Sequence, residues 1–172
     1  MKRAPNLIVL SGLPGTGKST LAEAVAERLN ASWLRVDTLE AAMVKAGVPR
    51  SFETGLAAYV GCRDQAADQL RIGRSVVIDA VNGVEPARRM WSDLAEELRA
   101  KRFTIHVTCP DLKEHRRRVE DREARNPPLP KPTWEEVTER EFQPWDEPVL
   151  VVDTTALVAQ VVEQILDYVG RD

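Results

Sequence analysis

Cysteine, aromatic residues and long apolar runs are all scarce in this chain. Its 172 residues include two cysteines, Cys62 and Cys109, and aromatic residues make up 5%. The two cysteines lack metal-ligand spacing and cannot form a disulfide framework, so small apolar core positions are their simplest use. The early apolar run Leu7–Leu10 is far too short for a membrane span. Because residues 1–3 also lack the pattern of a signal peptide, we expect a cytoplasmic protein with no membrane partner.

An excess of positive charge is missing as well. The chain has 24 Lys and Arg against 27 Asp and Glu, for a net charge of −3. This balance excludes a strongly basic nucleic-acid coat, although a local basic groove is compatible with it. The hydrophobic content of 43% and charged content of 30% are those of an ordinary globular domain. The length suits one domain, residues 1–172, with its own core.

Strand-like and helix-like segments alternate along the whole chain. The predicted strands are Leu7–Ser11, Ser32–Asp37, Ser75–Ala80, Phe103–Cys109 and Val149–Asp153. The first predicted helix begins after residue 17, and the fourth begins near Pro86. The other predicted helices span residues 39–46, 54–72, 112 to about 125, and 157–169. Alternation of this kind predicts an α/β fold in three αβα layers around a five-stranded parallel sheet. The carboxyl ends of the strands then share one edge, where such sheets bind ligands.

A proline-rich segment interrupts this alternation. Residues 126–132 contain four prolines in seven positions. The capping-box signature of Thr133 and Glu136 then predicts a helix that runs to about Phe142. Two interpretations are open: a stiff surface linker, or a small lid over the sheet edge that covers approximately residues 116–145.

The clearest motif lies between the first strand and the first helix. It matches G-x-x-x-x-G-K-[ST], a loop whose backbone N–H groups surround phosphate oxygens at a helix N-terminus. The spacing does not match the dinucleotide fingerprint G-x-G-x-x-G. The predicted nucleotide-binding residues are Gly12, Leu13, Pro14, Gly15, Thr16, Gly17, Lys18, Ser19 and Thr20. Lys18 can bridge the β- and γ-phosphates, and the Ser19 hydroxyl can ligate Mg²⁺.

The loop indicates that the protein binds a triphosphate, and other parts of the sequence narrow the range of reactions it could catalyse. Asp79 ends an apolar strand and is the expected Mg²⁺-supporting carboxylate; the alternative is a strand-end cap. Ala80 follows it, where ATPase motors usually have a Glu that activates water. No Asn-Lys-x-Asp occurs, so the usual guanine-reading pattern is missing. We therefore expect ATP and Mg²⁺ as the nucleotide and cofactor.

Three features together resemble the small P-loop kinases: the loop SGLPGTGKST, the strand end VIDAVN and the following helix with Arg88, Arg89 and Trp91. This group includes gluconate, shikimate and adenylylsulfate kinases, chloramphenicol phosphotransferase and the kinase domain of polynucleotide kinases. The chain resembles most closely the predicted kinases related to that last member. The resemblance covers nearly the whole chain and implies a phosphotransferase with an alcohol acceptor. Val81 departs from the common D-x-T-N pattern, which has Thr there.

The resemblance also implies an acceptor side at the end of the second strand. Many kinases of this group have an acceptor-side Asp at the position of Asp37, where it can accept the hydroxyl proton. The alternative is that Asp37 merely caps the next helix. The paired Asp-x-Asp of shikimate kinases is missing, and Glu40 stands where polynucleotide kinases have Arg. Both departures disfavour a nucleic-acid acceptor. Nucleoside-monophosphate kinases typically have Gly and Thr directly after the loop lysine, and Ser19-Thr20 in their place weakly disfavours a phosphate acceptor.

Arginines on the charged helix complete the predicted site. The pair Arg118 and Arg122 matches the R-x-x-x-R that opens the lid in related kinases, which implies a nucleotide contact for Arg118 and a catalytic phosphate contact for Arg122. The alternative is a solvated, salt-bridged face.

Near the third strand, Asn82 and Arg88 are candidate acceptor-binding residues. We expect His115 to be solvated among the arginines and His106 to be structural. Trp145 and Asp146 either line the acceptor pocket or pack the base of the lid.

The sequence thus favours a kinase that transfers the γ-phosphate of ATP to a hydroxyl of a small molecule, with Lys18, Asp37 and Arg122 as catalytic residues. The alternatives are a kinase for a 5′-hydroxyl of a polynucleotide or a nucleoside, and a non-catalytic module that binds ATP. The acceptor and the oligomeric state are not determined at this level.

Overall fold

Five parallel strands form the centre of the computed structural model, which describes residues 4–121 and 128–170. The strands are β1 (Asn6–Ser11), β2 (Ser32–Arg35), β3 (Val76–Asp79), β4 (Lys101–Thr108) and β5 (Leu150–Asp153). Their order in the sheet is β2-β3-β1-β4-β5, and each pairing is parallel. The helices are α1 (Lys18–Leu29), α2 (Val36–Lys45), α3 (Phe52–Arg71), α4 (Glu85–Leu98), α5 (Leu112–Asp121), α6 (Trp134–Thr138) and α7 (Val158–Gly170).

Two separate apolar layers hold the helices on the sheet. One joins Ile8 and Leu10 of β1 to buried residues of α1 and α7. The other joins Leu7 and Val9 of the same strand to buried residues of α3 and α4. Adjacent strand residues point to opposite faces, so a strand with apolar residues throughout is buried on both sides. The three-layer α/β prediction is therefore confirmed.

The parallel arrangement brings five chain segments to one edge of the sheet. The loop at residues 12–17 follows β1, α2 follows β2 directly, and the segment 80–84 follows β3. The start of α5 and the turn at 154–157 follow β4 and β5. Each sequence-predicted site residue within the described ranges lies on one of these segments, on the helix that begins there or, in the case of Asp79, at the end of the preceding strand.

Some predicted boundaries were wrong. The strand predicted to end at Asp37 ends at Arg35, so Asp37 lies in the first turn of α2 and does not cap it. The helix predicted from Thr133 to Phe142 has its capping box but ends at Thr138. On α3, Leu56 and Val60 are exposed, because the small side chains of Ala58, Cys62 and Ala66 make the close contact with the sheet. Small residues let a helix backbone approach its neighbour, which apolar periodicity alone does not reveal.

Candidate active site

The loop after β1 has a backbone path that only glycine permits at two points. A Cβ on Gly12 would lie 2.3 Å from the carbonyl oxygen of Val107. Gly15 has φ +83°, and a Cβ there would lie 2.5 Å from Cγ2 of Val119. Neither position has room for a larger residue. The loop is therefore packed against β4 on one side and α5 on the other.

Carbonyl groups of the loop are hydrogen-bonded on the protein side. The oxygen of Leu13 accepts from the Thr16 hydroxyl at 2.8 Å and from Lys18 Nζ at 2.9 Å. The oxygen of Thr16 accepts from the Thr154 hydroxyl at 2.8 Å. With these carbonyls engaged, the peptide N–H groups are the loop's donors toward an anion, and α1 begins immediately after them. The arrangement is that of a phosphate-binding loop.

His115 supports the same loop from α5. Its Nε2 lies 2.8 Å from the carbonyl oxygen of Pro14, and since a carbonyl only accepts, Nε2 carries the proton. The side chain is 5% exposed, and its ring meets Trp134 edge-on at 5.2 Å. The prediction of a solvated His115 was therefore wrong. Its spacing of four residues from buried Val119 places both on one face of an otherwise charged helix, a signal that the surrounding arginines obscured.

Arg118 lies beside a cleft of about 190 Å³ that adjoins the phosphate-binding loop. Its guanidinium donates to the hydroxyl and the carbonyl of Thr154, both at 2.9 Å, and to Glu114 at 2.7 Å. The cleft is lined on its other sides by Gly17, Thr20 and the apolar side chains of Leu21, Val158 and Val161. A flat cation opposite an apolar wall suits a planar base. Arg122, the second member of the predicted pair, lies outside the described residues.

Asp79 lies at the end of β3, next to β1, and its side chain is 5% exposed. Its Oδ2 accepts a hydrogen bond from Nε of Arg35 at 3.2 Å, in register across β2 and β3. Ser19 is in the first turn of α1. A hydroxyl, a carboxylate and phosphate oxygens are the donor set by which proteins hold Mg²⁺ with a nucleotide, so the residues fit that ion. Sequence reasoning missed Arg35, although it is a lone charge in the strand Ser32–Arg35.

Asp37 is exposed in the first turn of α2, where the helix dipole favours a negative charge. The charge of Asp37 also reaches Tyr59 of α3. Burial, with a smaller contribution from Asp37, raises the pKa of the Tyr59 hydroxyl to about 12. That hydroxyl accepts a hydrogen bond from the backbone N–H of Asn82 at 3.2 Å. Tyr59 therefore links α3 to Asp37 and to the segment after β3, a position that its apolar neighbours on α3 conceal in the sequence.

Asn82 is fully buried, and its polar groups are used inside the protein. Its side-chain amide donates to the carbonyl of Leu10 at 3.3 Å and accepts from the Trp91 indole N–H at 2.8 Å. Its backbone adopts φ 49°, in the left-handed region, and its carbonyl accepts from Arg88 Nε at 2.9 Å. These bonds tie the segment after β3 to the base of the phosphate-binding loop. This geometry does not support the hypothesis that the Asn82 side chain binds an acceptor.

Arg88, the other candidate acceptor residue, is also used internally. It is 9% exposed and donates to four carbonyls, those of Asn82, Gly83, Gln143 and Pro144. Its guanidinium lies 3.7 Å from the ring centroid of Trp145. Arg88 thus fastens one segment of the chain to α4.

We call that segment, residues 141–147, the strap. It lies against the face of β4 that carries Arg102 and His106: His106 stacks on Phe142 at 5.0 Å, and Arg102 pairs with Glu147 through two bonds of 2.6 and 2.7 Å. Of the two interpretations of Trp145, packing is the one observed. The strap forms the end of the predicted lid, and its hydrogen bonds fix it to the sheet. Movement of the preceding residues stays a prediction.

A parallel five-stranded sheet with a phosphate-binding loop, a carboxylate at the end of β3 and a base-sized cleft defines the class of P-loop kinase-type folds. A family model described as an AAA domain matches residues 7–144, and the chain belongs to this family, AAA_33. The resemblance to small P-loop kinases is thereby confirmed.

Individual proteins agree with this class. Over 106 residues, or 62% of this chain, it is 32% identical to a bifunctional polynucleotide phosphatase/kinase of Schizosaccharomyces pombe, but it spans only 21% of that protein's length. APS kinase CysC of Mycobacterium tuberculosis, solved with AMPPNP and APS, superposes with a TM-score of 0.75 at 18% identity, covering 97% of this chain and 98% of its own. A gluconokinase of Sinorhizobium meliloti 1021 gives a TM-score of 0.72 at 18% identity, with 98% and 94% covered. These two similarities show the fold alone.

In the two described ranges, 4–121 and 128–170, we find no helix that is long and apolar enough to cross a bilayer.

Proposed function

We propose that this protein is an ATP- and Mg²⁺-dependent kinase that phosphorylates a hydroxyl group of a small molecule. The observation that carries the proposal is a phosphate-binding loop at the same sheet edge as two separate carboxylates, Asp37 and Asp79. One carboxylate is held by an arginine beside the loop, and the other is exposed to an incoming acceptor. A nucleotide-binding module without transfer chemistry requires only the loop and the cleft.

Nucleotide binding would use the loop and the cleft together. The base would lie between Arg118 and the apolar wall, and the phosphates would lie along the loop amides. Lys18 would move its ammonium from the carbonyl of Leu13 to the phosphates, a short rotation of a flexible side chain. Ser19 and Asp79 would hold Mg²⁺, which supplies charge neutralisation to the transferring phosphoryl group when it is bound.

Transfer would then proceed in line. The bond between the γ-phosphorus and the β–γ bridging oxygen breaks, and ADP leaves with that electron pair. The acceptor oxygen forms the new bond to phosphorus, and its proton passes to the carboxylate of Asp37. The sequence-predicted phosphate contact of Arg122 belongs to this step. Asn82 and Arg88 are better regarded as positioning residues, because their hydrogen bonds are internal.

A polynucleotide 5′-hydroxyl is the second candidate acceptor, because the name of the Schizosaccharomyces pombe relative includes a polynucleotide kinase. Near Asp37, Glu40 of α2 forms an ion pair with Arg50 at 3.4 Å. An acidic residue at this position disfavours a polyanionic acceptor, which is why we place the small-molecule acceptor first.

The test is incubation with labelled ATP and either a panel of hydroxylated metabolites or a 5′-hydroxyl oligonucleotide, followed by mass spectrometry. We expect a phosphorylated small molecule, with turnover about 10²–10⁴-fold lower in Asp37→Asn. ATP affinity should be unchanged in that variant. A labelled oligonucleotide would favour the second candidate. Transfer that does not depend on Asp37 would contradict its assignment as the base, and ATP binding without transfer to any acceptor would contradict the kinase proposal.

A further inference from the structure

The side chain of Arg35 lies against the carboxylate that the proposed function assigns to Mg²⁺. Nε of Arg35 is 3.2 Å from Oδ2 of Asp79, and the two side chains are 15% and 5% exposed. By comparison, the side chains of Arg50, in the loop after α2, and Glu40, its partner on α2, are 55% and 17% exposed. The Arg35–Asp79 interaction is therefore poorly screened by solvent, and the charge on one group acts strongly on ligands of the other.

Both residues lie on the sheet face that α1 covers. Val77, two residues before Asp79, packs in the same apolar layer as α1, and Trp33, two residues before Arg35, packs against that layer. The guanidinium carbon of Arg35 lies 5.3 Å from the ring centroid of Trp33. Since α1 begins at Lys18 and carries Ser19, Arg35 approaches the metal-binding side of the loop and not the opposite face.

Local structure gives no reason for an arginine at this position. Arg35 is the N-cap of α2, and its side chain makes no capping bond. N-caps favour short side chains that accept hydrogen bonds, and the positive end of a helix dipole disfavours a cation. The ion pair of this side chain with the carboxylate of Asp79 is a tertiary interaction across two neighbouring strands.

We propose that Arg35 is a positioning residue for Asp79 that couples divalent-cation binding to nucleotide binding. The inference rests on the proposed function only in assigning Asp79 to the metal. A divalent cation that approaches without nucleotide meets the positive charge of Arg35, which already engages Oδ2. The phosphates of a nucleotide bring several negative charges to the same edge, and these outweigh that repulsion. Mg²⁺ therefore binds Asp79 together with a nucleotide and not before it.

The test uses Mn²⁺ as the probe metal and measures its binding by electron paramagnetic resonance, without nucleotide and with saturating ADP. The variant is Arg35→Met, which keeps an apolar chain against Trp33 and removes the charge. We expect its nucleotide-free form to bind Mn²⁺ more tightly, so that the coupling between Mn²⁺ and ADP falls by about tenfold. Because coupling is reciprocal, the gain in ADP affinity caused by Mn²⁺ should fall by the same factor.

Three further variants make the result specific. Arg50→Met removes a matched arginine from the more exposed pair and should leave the coupling unchanged. Arg35→Lys retains a cation and should keep most of the coupling. Arg35→Met combined with Asp79→Asn should lose the gained Mn²⁺ binding, which assigns that gain to Asp79.

Coupling in Arg35→Met equal to that of the natural protein would overturn the inference. So would Mn²⁺ binding in the natural protein that is equally tight with and without ADP. If Arg35→Met did not fold, loss of the coupling in Arg35→Lys would overturn the inference instead. Failure of the proposed function is a separate result, because a protein that binds ADP but transfers no phosphate still reports the coupling. A protein that binds no ADP would bind Mn²⁺ equally with and without ADP, and that result would overturn both proposals.

Discussion

Replacing Arg88 by alanine should release the strap from α4 and destabilise the whole domain. The guanidinium donates to Asn82 at 2.9 Å, Gly83 at 3.4 Å, Gln143 at 2.6 Å and Pro144 at 2.8 Å. The first two bonds are buried, and the last two are partly buried. In Arg88→Ala, the buried carbonyls lose their donor in a place where water has little access.

The size of the effect follows from these contacts. A hydrogen bond from a charged donor contributes about 1.5–3 kcal/mol, which we assign in full to the buried bond at 2.9 Å. The bond at 3.4 Å contributes little, and water replaces much of the two outer bonds, leaving about 0.5–1 kcal/mol each. Stacking on Trp145, whose ring centroid is 3.7 Å away, adds about 0.5–1 kcal/mol. The expected loss is about 3–6 kcal/mol, or roughly 6–24 °C in Tm for a domain of this size.

The assay is urea unfolding followed by circular dichroism, with limited proteolysis of the strap. Arg89→Ala is the matched control: the neighbouring arginine on α4 forms an exposed ion pair with Glu85 at 2.9 Å. Such pairs contribute about 0.3–0.5 kcal/mol. If Arg88→Ala lost less than about 1 kcal/mol, or no more than Arg89→Ala, the claim that this arginine anchors the strap would be refuted.

Two other predictions follow from the packing. Gly15→Ala should abolish nucleotide binding measured by calorimetry, because its Cβ would lie 2.5 Å from a methyl of Val119 at a φ of +83°. Gly55→Ala is the control and should bind nucleotide normally, because its Cβ would lie in open space. Equal nucleotide binding by both variants would refute the steric argument. Burial, with a smaller contribution from the charge of Arg88, lowers the pKa of His106 below its usual 6.5. The folded protein therefore binds this proton less readily than the unfolded chain, and stability should fall as pH drops below about 6.5. In His106→Phe, unfolding free energies measured between pH 5 and pH 8 should lose that part of the decline, and an unchanged slope would contradict the prediction.

Sequence patterns were sufficient wherever a local rule governs the structure. The alternation of apolar strands with helices predicted the three-layer fold, because each element must bury an apolar face. The phosphate-binding loop was equally predictable, since its glycines and its lysine all lie in a single short segment of the chain. The capping box at Thr133 and Glu136 formed as predicted, with both reciprocal bonds present.

Predictions were wrong where distant segments decide the outcome. His115 was expected in solvent, but the carbonyl of Pro14, 101 residues away in sequence, gives it a buried partner. On α3, the sheet contacts the small side chains and leaves Leu56 and Val60 exposed. Both outcomes depend on packing between segments that no periodicity connects.

In the candidate site, too, some features follow from local sequence and others from tertiary packing. The amino-acid sequence by itself determined the phosphate-binding loop, because that motif is contiguous and its physics is local. Only the tertiary structure decided that Arg35 pairs with Asp79, 44 residues away, and that Arg88 holds the strap. Buried polar side chains need partners, and the fold alone determines which partners come within hydrogen-bonding distance.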